Sequence, residues 1–202
     1  VSAGAVGRVF FIRRTAASFA TRCDWQTERR FGGGYLLNWG PHLVDPPVLL
    51  AGSPVASVYA RLRQVLNPGD GEDLFAACLT LEDGTLVQAE YTIAASPWPS
   101  WVVQGDRGTI VMNGRALTLY QRAPARPVDP TAFPAMQGKA APPLEETVSG
   151  ALYGDEHAIY REIAASFTGG APYRVTPDEA YAVTRVLDAI RTAAVENRVV
   201  TL

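Results

Sequence analysis

The chain has 202 residues, of which 48% are hydrophobic, and it carries 18 basic against 20 acidic side chains. A formal net charge of −2 lacks the positive excess by which nucleic-acid-binding proteins attract phosphates, so we expect no nucleic-acid partner. The sequence contains no run of about 18 apolar residues and no signal-peptide pattern, so we expect neither a membrane span nor a secretory leader.

The first third of the chain predicts a strand followed by a helix. Residues 8–15 are β-branched and aromatic, a composition typical of strands. Three glycines at 32–34 then interrupt the chain before an apolar stretch, which predicts a helix over roughly residues 35–50. Three prolines fall inside this stretch, and because proline removes a backbone donor we expect the helix to bend or restart at Asp45.

The middle third predicts an antiparallel meander. Residues 74–82 and 85–93 flank an Asp-Gly pair, which is a strong hairpin signal. Apolar and polar side chains alternate in the second of these strands, as they do in residues 55–66, which indicates a sheet covered on one side only. Shorter strands are predicted at the end of this third, over residues 101–104, 109–112 and 116–121.

The last third predicts a loop and then two helices. Six prolines between residues 123 and 150 indicate a long loop or flap. Residues 153–168 predict a helix whose apolar face includes Ile159 and Phe167. A second helix begins at Thr176 with a capping box, and a short final strand follows it. Strands followed by helices favour an α+β fold, which we assign to a single domain over residues 1–202.

The cysteine and lysine counts restrict the chemistry. Cys23 and Cys78 are the only cysteines, too few for a thiolate metal site or a disulfide framework. We expect each to be a buried free thiol, and we place the protein in the reducing cytoplasm. The only lysine, Lys139, lies in a Pro/Gly/Ala stretch and is a poor candidate for a catalytic acid or base.

Several sequence motifs of catalytic and cofactor sites are absent. The sequence has no glycine-rich dinucleotide or P-loop motif and no Gly-x-Ser-x-Gly elbow. The two histidines, His42 and His157, form no paired-histidine zinc motif, and we expect His157 to be a structural histidine with satisfied hydrogen bonds. We therefore predict no metal and no bound cofactor for this chain alone.

One segment, residues 32–45, concentrates side chains that can carry chemistry. On a helix Asn38 and His42 lie on one face at i and i+4, and Tyr35 and Asp45 extend that stripe in both directions. An imidazole can transfer a proton near neutral pH, and a neighbouring amide can orient it or bind a substrate hydroxyl. The alternative is a structural His42 that caps the helix or bonds to Asp45.

The same segment resembles the signature of the C-terminal domain of the Gfo/Idh/MocA oxidoreductases, the glucose–fructose oxidoreductase and inositol dehydrogenase family. The signature is Gly-Gly, a short apolar step, Asp, three residues, His, and Asp three residues further on. Trp25, before the glycines, also fits the family pattern. Residues 101–110 resemble the family's Trp-x-Val-x-Gly-x-x-Gly hairpin. Together with the start of the first strand, the two C-terminal helices and the closing strand, the similarity extends in order over the whole chain.

This resemblance implies a substrate-binding and oligomerisation domain, an open and mostly antiparallel sheet with helices packed on one face. Family members bind NAD or NADP in an N-terminal Rossmann domain that carries a Glu-Lys-Pro motif, and this motif is absent here. The chain is thus expected to be a fragment that is inactive alone and lacks its cofactor domain. A sugar, polyol or derivative is the expected substrate, and a homodimer or tetramer through the free sheet face is the expected assembly.

The resemblance also assigns roles to the four site residues. His42 falls on the histidine that transfers the substrate hydroxyl proton. Asn38 falls where many members have a catalytic Asp, and because an amide cannot take a proton, it keeps only an orienting role. Tyr35 and Asp45 are predicted to contact substrate. The alternative, which Asn38 favours, is a non-catalytic sugar-binding or scaffold protein with the same fold.

Overall fold

A computed structural model describes residues 1, 4–123, 131, 138–150 and 155–202. In chain order its strands and α-helices are β1 (Val9–Ala17), α1 (Tyr35–Ala51), β2 (Val55–Arg63), β3 (Leu74–Leu81), β4 (Leu86–Thr92), β5 (Trp101–Gly105), β6 (Gly108–Asn113), β7 (Ala116–Gln121), β8 (Leu144–Thr147), α2 (Glu156–Phe167), α3 (Pro177–Glu196) and β9 (Val200–Thr201). Two single-turn 3₁₀ helices, Trp25–Thr27 and Arg29–Phe31, precede α1. Among the helices described, none has both the length and the apolar composition needed to cross a membrane.

The strands form one open sheet, in the order β8-β7-β6-β5-β1-β4-β3-β2-β9. Of the strand pairs described, only β1 and β4 run parallel, so the predicted α+β fold with a mostly antiparallel sheet is confirmed. The meander is not continuous, however, because β1 lies between β4 and β5. Pairing between strands distant in sequence does not show in local periodicity.

One face of the sheet is buried beneath α1 and α3. The predicted alternation is confirmed, because alternate residues of β2, β3 and β4 enter the core, where Ile12 of β1 joins them: Val58, Ala60, Phe75, Ala77, Leu79, Val87, Ala89 and Tyr91. Helix α3 contributes Leu187 and Ile190 to the same core and begins with the predicted capping box. The helices therefore pack on one face, and among the described elements no helix packs against the opposite face.

Helix α2 differs from the prediction. Its expected apolar face is open to solvent, with Ile159 48% and Phe167 85% exposed. His157 is also exposed. Its expected role as a structural histidine stays a prediction. An ion pair between Glu162 and Arg174 links α2 to the segment before α3, with Arg174 Nε 2.7 Å from Glu162 Oε2. The first residues of the predicted helix, 153 and 154, lie outside the described part.

Two further expectations are corrected. Both cysteines are exposed, not buried. Cys78 lies on β3 between the inward-facing Ala77 and Leu79, so its side chain points to the free face, and Cys23 lies in an irregular segment. The predicted loop over residues 123–150 contains strand β8, which pairs with β7, while its residues 124–130 and 132–137 lie outside the described part.

Helix α1 runs without interruption from Tyr35 to Ala51, although three prolines lie inside it. The predicted restart at Asp45 is thus not observed. Leu43, Val44 and Pro47 are buried on its inner side. Packing of an apolar face contributes more to the stability of such a helix than its local propensity, which explains its continuity through the prolines.

The start of α1 is fixed by the turn that precedes β3. The backbone N–H of Tyr35 donates to the carbonyl oxygen of Glu72 at 2.8 Å, and that of Leu36 donates to Glu72 Oε1 at 3.2 Å. The Glu72 carboxylate thereby pairs with the positive end of the helix dipole. Gly34 has φ +116°, and a Cβ there would lie 2.3 Å from Glu72 Oε1, so a larger residue would be strained and would displace this carboxylate from the start of α1.

The neighbouring carboxylate of Asp73 holds this turn in shape. Asp73 is fully buried and accepts hydrogen bonds from the backbone N–H groups of Val65, Leu66 and Asn67 at 2.7, 2.8 and 2.7 Å. A buried carboxylate requires such donors because an unsatisfied charge in the interior is costly. Asp73 thus organises the loop that presents Glu72 to α1.

We predict that Asp73→Ala lowers the free energy of unfolding by about 3 kcal/mol, since it leaves three backbone donors without a charged acceptor. Urea denaturation followed by circular dichroism measures this change. Glu82→Ala, at an exposed turn, is the control and is expected to change stability by less than about 0.5 kcal/mol. Equal stability of the two variants would contradict the role given to Asp73.

Gly34→Ala tests the contact with Glu72. Gly52 also has positive φ, but a Cβ there meets no atom within 4 Å. Gly52→Ala should therefore cost only the backbone strain of about 1–2 kcal/mol, and Gly34→Ala should cost about 2 kcal/mol more because of the clash. Thermal and urea unfolding of both variants give the comparison, and similar losses at the two sites would exclude the steric constraint.

Candidate functional site

The outer surface of α1 carries the two residues predicted to be catalytic. Asn38 and His42 are both exposed, one helical turn apart, while Leu36 and Leu43 of the same helix are buried. The structure therefore brings these two side chains together on a surface open to a ligand. Their proposed roles in the reaction stay predictions.

Asn38 is held by a residue that the sequence did not single out. Its Nδ2 donates a hydrogen bond to Gln26 Oε1 at 2.6 Å. Gln26 is itself fixed, because its backbone N–H donates to Asp24 Oδ1 at 3.0 Å and its carbonyl accepts from the N–H of Gly34 at 2.9 Å. The bond directs the NH₂ group of Asn38 toward Gln26. Among the described residues its carbonyl oxygen Oδ1 has no partner, so it is available to a ligand.

An aromatic series supports the ring of His42. The ring centroids of His42 and Trp39 are 6.1 Å apart, and the two ring planes form an angle of 70°. Trp39 in turn stacks on Tyr91, with the centroids 5.1 Å apart, and Tyr91 contacts Tyr35 edge-on at 4.7 Å. No hydrogen bond joins His42 to Asp45 in the described part of the chain, and the helix ends at Gly52 without the imidazole. The structural role considered for His42 is thus not observed.

Tyr35 occupies a different environment from His42. It is only 3% exposed, and its ring packs against Tyr91 inside the core. Burial of the Tyr91 hydroxyl, together with the electrostatic effect of Tyr35 and Asp73 nearby, raises the pKa of Tyr91 to about 12. Tyr35 is therefore buried whereas His42 is exposed, and the predicted contact between Tyr35 and substrate stays a prediction.

Asp45 faces a cleft of about 430 Å³ between α1 and α3, which His42 does not line. Burial raises the pKa of the Asp45 carboxyl, and the negative charge of Glu179 across the cleft raises it further. The structure thus separates Asp45 from the pair formed by Asn38 and His42. Its predicted contact with the same substrate is likewise untested.

A carboxylate of this chain already lies at the start of α1. Glu72 already occupies the N-terminus of α1, the place where a phosphate group would otherwise bind to helix N–H groups. Within the described ranges, no group of three or more His, Cys, Asp or Glu side chains is arranged to hold a metal ion. This part of the chain therefore offers a surface for proton transfer and hydrogen bonding.

Large apolar side chains are exposed in the same segments. Trp25 and Phe31, in the two 3₁₀ helices, are each 56% exposed, and Leu37, next to Asn38, is 46% exposed. Trp25 was noted from the sequence, but the exposure of Phe31 and Leu37 was not predicted, because apolar residues beside a helix start normally enter the core.

Comparison with known proteins gives a family and a fold. The family model described as the GFO/IDH/MocA C-terminal domain matches residues 1–111. The fold is similar to that of a NAD-binding protein from Listeria innocua, with a TM-score of 0.78 and 22% identity over 100% of this chain and 61% of that protein. No match was found among curated proteins.

Two further structures are similar. An aldose-aldose oxidoreductase from Caulobacter crescentus, complexed with glycerol, gives a TM-score of 0.70 and 20% identity over 100% of this chain and 58% of that one. GenD2 from gentamicin A biosynthesis, in complex with NAD, gives a TM-score of 0.65 and 22% identity over 98% of this chain and 56% of that one. This chain thus spans between 56% and 61% of the length of these three relatives. Since the family model matches more than half of its residues, the chain belongs to the GFO/IDH/MocA family, as a C-terminal domain of these oxidoreductases.

Proposed function

We propose that this chain is the substrate-binding domain of an NAD(P)-dependent oxidoreductase acting on a sugar, a polyol or a derivative, with His42 as its proton-transfer group. The observation that carries the proposal is the exposed Asn38–His42 pair on α1, with Asn38 oriented by Gln26. Family membership supports it, as do relatives that include a NAD-binding protein and an aldose-aldose oxidoreductase.

The dinucleotide is assigned to a Rossmann domain of the parent protein, outside this chain. The occupied N-terminus of α1 supports this division, because the described residues leave no helix start free for its phosphates at this site. When bound there, the cofactor supplies the acceptor for the hydride of the substrate carbon. The chain alone is then inactive, and its free thiols agree with a cytoplasmic parent.

His42 and Asn38 have different roles in the proposed reaction. A neutral His42 imidazole accepts the proton of the substrate hydroxyl as the alcohol becomes a carbonyl. Asn38 Oδ1 accepts a hydrogen bond from the hydroxyl or from the protonated imidazole, and its NH₂ group stays on Gln26. Because an amide takes no proton, His42 carries the proton without help from a carboxylate at position 38.

We predict that His42→Ala in the complete parent protein lowers kcat/KM by about 10²–10⁴-fold, the contribution typical of a positioned acid or base. NAD(P) reduction is followed at 340 nm over a panel of polyols and aldoses. His157→Ala is the matched control, since His157 is an exposed histidine on α2, and it should retain full activity. Activity that survives in His42→Ala would overturn the catalytic assignment.

A non-catalytic sugar-binding or scaffold protein is the second candidate. The amide at position 38 favours it, because Asn38 cannot act as a base. The two candidates are separated by the same panel together with calorimetric binding. Sugar binding without turnover, unchanged by Asn38→Asp, would support the second candidate, whereas turnover that depends on His42 would support the first.

We also propose that the free sheet face joins copies of this chain in a homodimer or tetramer. This face exposes apolar and aromatic side chains in three strands, with Tyr59 38%, Leu86 49% and Tyr120 44% exposed. Cys78 lies on the same face, opposite Tyr59 and Gln88 in the register. A broad exposed surface of this kind is typical of an interface between subunits.

Cys78 gives a direct test of this assembly. If the face is covered, alkylation of Cys78 should slow at protein concentrations where light scattering shows an oligomer, while the exposed Cys23 keeps its rate as an internal control. Tyr59→Glu should restore the monomer and the reactivity of Cys78, because an uncompensated charge in the interface is costly. A monomeric mass at all micromolar concentrations would refute the proposal.

A further inference from the structure

The cleft between α1 and α3 has the composition of a small-ligand site. Its apolar walls come from both helices and from the segment that precedes α3: Pro41, Leu49, Val175, Val183 and Leu187. Its volume of about 430 Å³ lies within the range of small-molecule pockets. Such pockets are mostly apolar and contain a few polar groups that fix the orientation of the ligand.

The charged groups of the cleft leave a negative excess. The guanidinium of Arg174, at the rim, is already paired with Glu162. Glu179 Oε2 accepts from the N–H of Thr176 at 2.7 Å and from its hydroxyl at 2.9 Å, so this carboxylate is held in the capping box. Asp45 has no hydrogen bond or ion pair among the described residues. It is half-buried and is the carboxylate of the cleft that lacks a partner.

We propose that this cleft binds a small organic cation, an alkylammonium or alkylguanidinium compound, whose charged head pairs with Asp45 and whose hydrocarbon chain lies against the apolar walls. The half-buried position of Asp45 favours a charged donor as its partner, since a charge-assisted hydrogen bond is about twice as strong as a neutral one. The negative charge of Glu179 adds to the attraction for a cation and repels an anion.

Other ligand classes fit less well. A metal ion requires more ligands than Asp45 and Glu179 supply, and a polyol requires more hydrogen-bonding groups than these walls provide. Because His42 does not line the cleft, this site is distinct from the Asn38–His42 pair and does not depend on the proposed reaction. Asp45 is accordingly a cleft residue, separate from the surface where His42 is exposed.

The test uses this chain and four probes: n-pentylamine, n-butylguanidine, pentan-1-ol and pentanoate. Titration is followed by ¹⁵N–¹H NMR shifts of α1 and α3 residues. We expect saturable binding of the two cations, weaker binding of the alcohol and none of pentanoate. Asp45→Asn should weaken amine binding at least about tenfold, the ratio given by loss of one charge-assisted contact. Glu82→Gln, an exposed carboxylate at the β3–β4 turn, should leave it unchanged.

A second variant separates the apolar walls from the charge. Leu49 is 63% exposed at the rim, so Leu49→Trp is compatible with folding and should block the cleft for both cations. Circular dichroism verifies the fold of each variant. Equal amine affinity in the native chain and in Asp45→Asn, equal binding of pentanoate, or no saturable binding of either cation would each overturn the proposal.

Discussion

Two neighbouring carboxylates determine where α1 begins, and the site depends on that position. Asp73 closes the turn before β3 with three backbone hydrogen bonds, and Glu72 then binds the first N–H groups of α1. Gly34 allows the carboxylate to approach. Asn38 and His42 lie at fixed distances along α1 from this start. A change in the loop before β3 would therefore displace both side chains at once.

The sheet gives the chain two different surfaces. One face is filled by α1 and α3 and forms the core, while the other presents aromatic and aliphatic side chains together with arginines. Arg13 shows how the free face is arranged, since its guanidinium stacks on Phe11 and Trp98 and hydrogen-bonds Gln88. Such partly paired charges and rings support the proposal that this face joins subunits.

The outer side of α1 is likewise divided between two environments. Asn38 and His42 lie on an exposed surface next to the 3₁₀ helices, and Asp45 faces the apolar cleft along α3. A helix places successive turns in different surroundings when its neighbours cover only part of its length. The four residues of the sequence stripe therefore divide into an exposed pair, a buried tyrosine and a cleft carboxylate.

The sequence by itself determined most of the helices and strands, the alternation of the strands, the capping box of α3 and the family signature, because all of these depend on residues close together in the chain. Strand β8 was not predicted, because its pairing with β7 is a tertiary contact. Only the tertiary structure decided the insertion of β1 between β4 and β5, the hydrogen bond that Asn38 donates to Gln26, the burial of Tyr35 and the exposure of both cysteines. Each of these depends on which distant segment packs alongside, and local periodicity carries no information about that partner.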